Sequence, residues 1–104
     1  MHDDLFQTPT PLGFIVRATR SRWERIVAVK HPVMRGREES VAQAIRDPEQ
    51  IRRSRSDPAV HLFYRREREG RWICAVAKQT DGDGFLITAY PTDTIKVGEL
   101  LWRK

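Results

Sequence analysis

The sequence predicts an α+β domain in which two N-terminal helices pack on one face of a mainly antiparallel sheet of about four strands. Three observations predict it. Trp23, Ile26 and Val27, and later Val41, Ala44 and Ile45, fall at helical spacing and give two short amphipathic stripes early in the chain. The later segments "VHLFYRRE", "RWICAVAK" and "FLITAY" are short apolar or alternating runs of the kind that form strands. Glu69 and Gly70, and then "TDGDG", supply turn residues between them. Helices first and strands afterwards is the order of a domain with its helices gathered on one side of an antiparallel sheet.

Taken in order, "PTPLG" keeps residues 1–12 from starting a regular element, so they read as an arm, and residues 13–104 read as a single domain. "FIVRAT" reads as a short strand, and Thr19 or Ser21 caps the helix that follows. That helix stops near His31, because Pro32 disfavours helical geometry in the residue before it. After "VMRGRE" a second helix runs around Val41 to Ile45 and closes at Asp47 and Pro48. "EQIRRS" reads as the first strand of the sheet. In the next strand Val60, Leu62 and Tyr64 alternate with His61, Phe63 and Arg65. "RWICAVAK" is apolar on both faces and reads as central. The segment "TIKVGELLW" fits strand and helix periodicity equally poorly and stays open between them.

The composition fits one domain with a crowded ionic surface. The chain has 104 residues, 39% of them hydrophobic and 32% charged, against the ~100 to 150 residues of an ordinary domain. No apolar run reaches the ~20 residues needed to cross a bilayer, and "MHDDLFQTPT" lacks the basic start and apolar stretch of a leader, so the expectation is a cytoplasmic protein. Cys74 is the single cysteine and excludes an internal disulfide or a cysteine metal cluster. Lys and Arg number 19 against 14 Asp and Glu, for a net charge of +5. The arginines concentrate in "RATRSRWER", "RGRE", "IRRSRSD" and "YRREREGR". A phosphate-rich partner suits that charge, and a merely solvated basic surface is the alternative. No glycine-rich nucleotide loop or serine nucleophile motif is present, which leaves kinase, dehydrogenase and serine-hydrolase readings without support.

The ordered set "WERIVAVKHP", "VAQAIRDPEQIRRS", "VHLFYRR" and "VAKQTDGDGFLITAY" resembles the phage-type branch of the barnase, EndoU, colicin nuclease and RelE superfamily of small ribonucleases, over about residues 14 to 102. The resemblance implies a RelE- or barnase-like fold and endoribonuclease activity that needs no metal or other cofactor. The partners it implies are RNA and, in a toxin–antitoxin or phage-derived setting, a small antitoxin protein.

Cleavage through the ribose 2′-hydroxyl needs a base, an acid and positive charge for the phosphorane-like transition state. His31, at a helix end and at the position matching the family's His-Pro, is the candidate acid–base group; the alternative is a histidine capping helix carbonyls. Lys78 ends its strand beside the one carrying Thr88 and Tyr90, and these three complete the candidate catalytic set. Strand alternation puts Thr88 and Tyr90 with Leu86 on the sheet's open face and Phe85, Ile87 and Ala89 on the helix side. Arg35, Arg46, Tyr64, Arg65 and Thr94 are the candidate substrate-binding residues, with Arg35 first because the loop after His31 can bend back. Tyr64 and Arg65 point to opposite faces, so one of them can join the site. His61 reads as an ordinary, partly exposed strand residue and His2 as inert. The competing reading is a noncatalytic module that binds nucleic acid or protein with the same basic face.

Overall fold

A computed structural model describes residues 3–96 and 98–104; His2 lies outside them. The chain builds one seven-stranded mixed sheet from β1 (Asp4–Pro9), β2 (Ile15–Thr19), β3 (Gln50–Arg53), β4 (Val60–Arg68), β5 (Arg71–Thr80), β6 (Asp83–Thr92) and β7 (Glu99–Arg103), in the order β1-β2-β6-β5-β4-β3-β7. Helix α1 (Arg20–Arg25) continues into a wide π-type turn (Ile26–Lys30). A 3₁₀ turn (Pro32–Met34) follows, and then α2 (Glu38–Arg46).

This corrects the predicted two helices on about four antiparallel strands. The helices are present but short, and the sheet is larger and mixed. Residues 4–9 form a strand because "TPTPLG" closes a hairpin, in which the Thr10 amide donates to Phe14 and the Gly13 amide to Thr10. The proline-rich stretch that argued for an arm is the turn that makes β1 pair with β2. β2 in turn lies parallel to β6 through Val16 opposite Gly84 and Arg17 opposite Phe85, a long-range pairing that carries no local signal. The undecided C-terminal segment forms β7, paired antiparallel with β3.

Where local chemistry decides, expectation and structure agree. The Thr19 hydroxyl accepts the Arg22 amide at 3.1 Å and starts α1. Val41, Ala44 and Ile45 point α2 into the main core, which they share with Trp23, Ile26, Val27, Met34, Phe63, Ile73 and Ala75. His61 is not partly exposed as expected: it belongs to this same side, buried between Phe14 and Phe63 with ring centroids 5.3 and 6.4 Å away.

The opposite face is not open. Leu62, Tyr64, Cys74 and Val76 form a second buried cluster there, covered by Ile95 from the segment joining β6 to β7. That segment crosses four strand spacings, ~19 Å in all at ~4.8 Å each. The seven Cα–Cα steps from Thr92 to Glu99 reach ~23 to 25 Å when extended at ~3.3 to 3.6 Å per residue. It is therefore a short strap. Two hydrogen bonds seat it: the Lys96 amide donates to the Tyr64 hydroxyl at 3.1 Å, and Arg52 Nη1 donates to the Gly98 carbonyl at 2.9 Å. Glycine is required at 98, since a Cβ there would stand 2.4 Å from the Arg53 carbonyl oxygen.

Candidate functional site

β2 pairs with β6 only at the start of β6, so the second half of β6 has no strand beside it on that edge. The α1 segment follows β2 and reaches this edge, and the chain turns at its end. The His31 amide donates to Ile26 at 2.7 Å, closing the π-type turn, while the His31 carbonyl accepts the Met34 amide at 3.0 Å. With its backbone held on both sides and Met34 buried as an anchor, the half-buried His31 ring lies 5.4 Å from the ring of Tyr90 at a tilt of 38°. From the strap, Lys96 Nζ stands 5.5 Å from the centroid of the same ring. An imidazole and an ammonium group thus flank one tyrosine.

The sheet register continues the site. Tyr64, Cys74 and Tyr90 are successive partners across β4, β5 and β6, and Arg66, Trp72 and Thr92 form the next row on the same face. The Arg66 guanidinium lies 5.1 Å over the Trp72 ring. Thr92 Oγ1 accepts the Thr94 amide and donates to the Thr94 carbonyl, fixing the turn into the strap. Among the described residues neither Lys96 nor Arg66 has a salt-bridge partner. Both cations stay available to an anion.

Burial sets the protonation of the row beneath. It pushes Tyr64 up to about 12 and the Cys74 thiol up to about 11, and it raises Tyr90 as well, with the Cys74 thiol adding to that rise. These groups stay neutral near pH 7 and cannot serve as bases. The hydroxyl oxygens of Thr88 and Tyr90 are buried without a hydrogen-bond partner among the described residues. A β-bulge explains part of the difference from strand alternation. Val76 pairs with Thr88 but Ala77 pairs with Leu86, so Ile87 is the extra residue and the faces switch there. Leu86 and Ala89 therefore both enter the main core, and Ile87 packs on the second cluster.

The structure brings His31 and Tyr90 together, with Tyr64 two strands away and Thr94 at the rim. It does not bring Lys78, which pairs with Asp57 at 3.2 Å and, four residues from Cys74, lies ~13 Å along the sheet. Arg65 is tied to Asp47 at 3.0 Å, Arg46 lies 3.5 Å from Glu39, and Arg35 lies 3.9 Å from Glu24. Lys96, Arg66 and Trp72 are the site residues that sequence reasoning missed. Lys96 sits in the segment whose periodicity was undecided, while the Arg-Trp pairing follows from register alone.

Among the described residues no three His, Cys, Asp or Glu side chains gather as a metal site needs, and no helix is long and apolar enough to cross a membrane. Comparison with protein-family models, with curated proteins and with solved structures yields no match.

Proposed function

We propose that the protein is a small endoribonuclease that cleaves RNA by attack of a ribose 2′-hydroxyl on the adjacent phosphate, with His31 moving the proton. The observation that carries this reading is the placement of His31 and Lys96 against one ring, Tyr90, at a corner that solvent reaches. A phosphate at that corner meets an imidazole and an ammonium group, which are the acid–base and electrostatic components the reaction needs. Arg66 over Trp72 offers a second cation and an aromatic face for a neighbouring base. Lys96 and Arg66 take the charge-stabilising role that sequence order suggested for Lys78 and Arg35, because Lys78 is paired with Asp57 and far along the sheet. Tyr90 acts as a positioning residue that holds the His31 ring.

The test is cleavage of a labelled RNA in the presence of a chelator, followed by analysis of product ends. Cyclic-phosphate products from the wild type, and a loss of ~10² to 10⁴-fold in His31→Ala, are expected of a general acid–base group. Lys96→Ala should cost ~10² to 10³-fold through lost transition-state charge stabilisation. Tyr90→Phe should retain activity and Tyr90→Ala should not, since the ring and not the hydroxyl orients His31. Unchanged cleavage in His31→Ala sinks the assignment.

One observation favours a second reading. The Arg66 and Trp72 stack is a platform that binds single-stranded nucleic acid without any chemistry, so a noncatalytic RNA-binding module is the alternative. It predicts retained, salt-sensitive binding with no turnover in any variant. A toxin role in the cytoplasm beside a small antitoxin, which the sequence resemblance implies, belongs to the same proposal and is tested by growth arrest on expression.

A further inference from the structure

Where β2 ends and α1 begins, Arg17, Thr19 and Arg22 close around Phe85 and Leu86 to form a hollow of about 250 Å³. Phe85 is 38% exposed there, an unusual state for a large aromatic residue in the strand next to the centre of a sheet. Arg25, one helical turn beyond Arg22, extends the positive wall into an adjoining hollow that shares Thr19 and Arg22. Arg22 and Arg25 have no salt-bridge partner among the described residues, and Arg17 reaches only Asp4 at 3.7 Å, with its buried Nε lacking a hydrogen bond. The hollow between α2 and the β4–β5 hairpin is less basic than its arginines suggest, with Arg37 neutralised by Glu67 and Arg65 by Asp47, leaving Arg66 as its unpaired arginine among the described residues.

We propose that this groove is a second nucleotide-binding subsite for single-stranded RNA, in which Phe85 stacks a base and Arg22, with Arg17, holds the adjoining phosphate. The inference rests on the ribonuclease reading and extends its substrate path. Charge and shape choose the occupant: unpaired guanidinium groups beside one exposed aromatic face suit a phosphate next to a base. The groove also lies on the way to the His31 corner. From Arg22 to His31 the helical segment advances ~14 Å at ~1.5 Å per residue. From Leu86 to Tyr90 the edge of β6 advances ~13 Å at ~3.3 Å per residue. The two elements run side by side, so a strand leaving the corner along the seam between them meets Phe85 and Arg22 next.

The experiment is fluorescence anisotropy of a labelled single-stranded RNA of roughly ten nucleotides, fully 2′-O-methylated so that it cannot be cleaved, titrated over a range of salt. Wild type, Phe85→Ala, Arg22→Ala and Arg103→Ala are compared, the last removing an exposed charge from the far edge of the sheet. Phe85→Ala should weaken binding about tenfold, as the loss of one base stack does. Arg22→Ala should weaken binding and lower the slope of log affinity against log salt by ~0.7, one phosphate contact on a single strand. Arg103→Ala should do neither. Equal behaviour of all three variants overturns the subsite, as does failure of the wild type to bind while a protein partner proves to cover Phe85. Because the probe cannot be cut, binding that depends on Phe85 and Arg22 upholds the groove even if unmodified RNA is never cleaved. In that outcome the ribonuclease reading alone falls.

Discussion

Replacing Gly98 with alanine should loosen the strap that closes the second face of the sheet. The new Cβ would stand 2.4 Å from the Arg53 carbonyl oxygen, whereas carbon–oxygen contacts settle near ~3.3 to 3.6 Å, so one of the two backbones must move by roughly 1 Å. The strap is pinned by the hydrogen bonds of the Lys96 amide and the Gly98 carbonyl. β3 and β7 must part instead, and the bond from Arg52 to the Gly98 carbonyl lies in the path of that movement. Overpacking of this kind costs ~1 to 3 kcal/mol, and the lost hydrogen bond adds ~1 kcal/mol. For a domain of this size such a sum lowers Tm by roughly 10 to 20 °C. Thermal unfolding followed by circular dichroism reads it, with Gly70→Ala as the control. Gly70 sits at φ 72° with open space around it, so its alanine variant meets only the left-handed conformational penalty of ~1 to 2 kcal/mol. A Gly98→Ala melt within about 2 °C of wild type would refute the close-packed strap.

Three further outcomes follow from buried polar groups. Burial holds His61 below the ordinary histidine range; the unfolded chain therefore takes up the proton first, so stability is full above about pH 6.5 and declines below it. Urea midpoints at about pH 7.5 and pH 5 should show that decline, and His61→Leu should flatten it. Tyr64→Phe removes the acceptor of the Lys96 amide and should cost ~1 kcal/mol, with faster amide hydrogen exchange at Lys96 as its local signature. Cys74, fully buried with its thiol pushed up to about 11, should resist a thiol reagent in the native state and react only on unfolding; a rapid native reaction would contradict the closed second face.

Legibility in the sequence followed the range of the interaction. The Thr19 cap, the end of the helical segment before Pro32, the apolar stripe of α2 and the turns of the β4–β5–β6 meander all rest on residues within a few positions of one another. The parallel seam of β2 with β6 and the pairing of β7 with β3 join residues roughly 50 to 70 positions apart, and nothing in either segment announces its partner. Mistaking "PTPLG" for the boundary of an arm had a different origin. Proline and glycine mark a turn equally well at the edge of a domain and inside a hairpin, and only the pairing of β1 with β2 decides between them.

The candidate site divides along the same line. His31 was legible because a helix-end histidine before proline is a local pattern, and Tyr90 because it closes an apolar strand. Their meeting was not legible, since it depends on β2 being too short to cover all of β6, which leaves an edge for the end of the α1 segment to occupy. Lys96 was hidden for a related reason. Its position over Tyr90 comes from a strap that crosses three strands, and that crossing exists only once β7 lies beyond β3. The expectation that Thr88 and Tyr90 offer their hydroxyls to solvent failed as well: both side chains are half-buried and both hydroxyl oxygens are shut off from solvent. If the corner is catalytic, anything that loosens the strap should act on two observables together, lowering stability and displacing Lys96. Gly98→Ala should therefore reduce RNA cleavage more than Gly70→Ala at a temperature where both variants are folded. Equal activities there would separate the strap from the chemistry and leave His31 to act without Lys96.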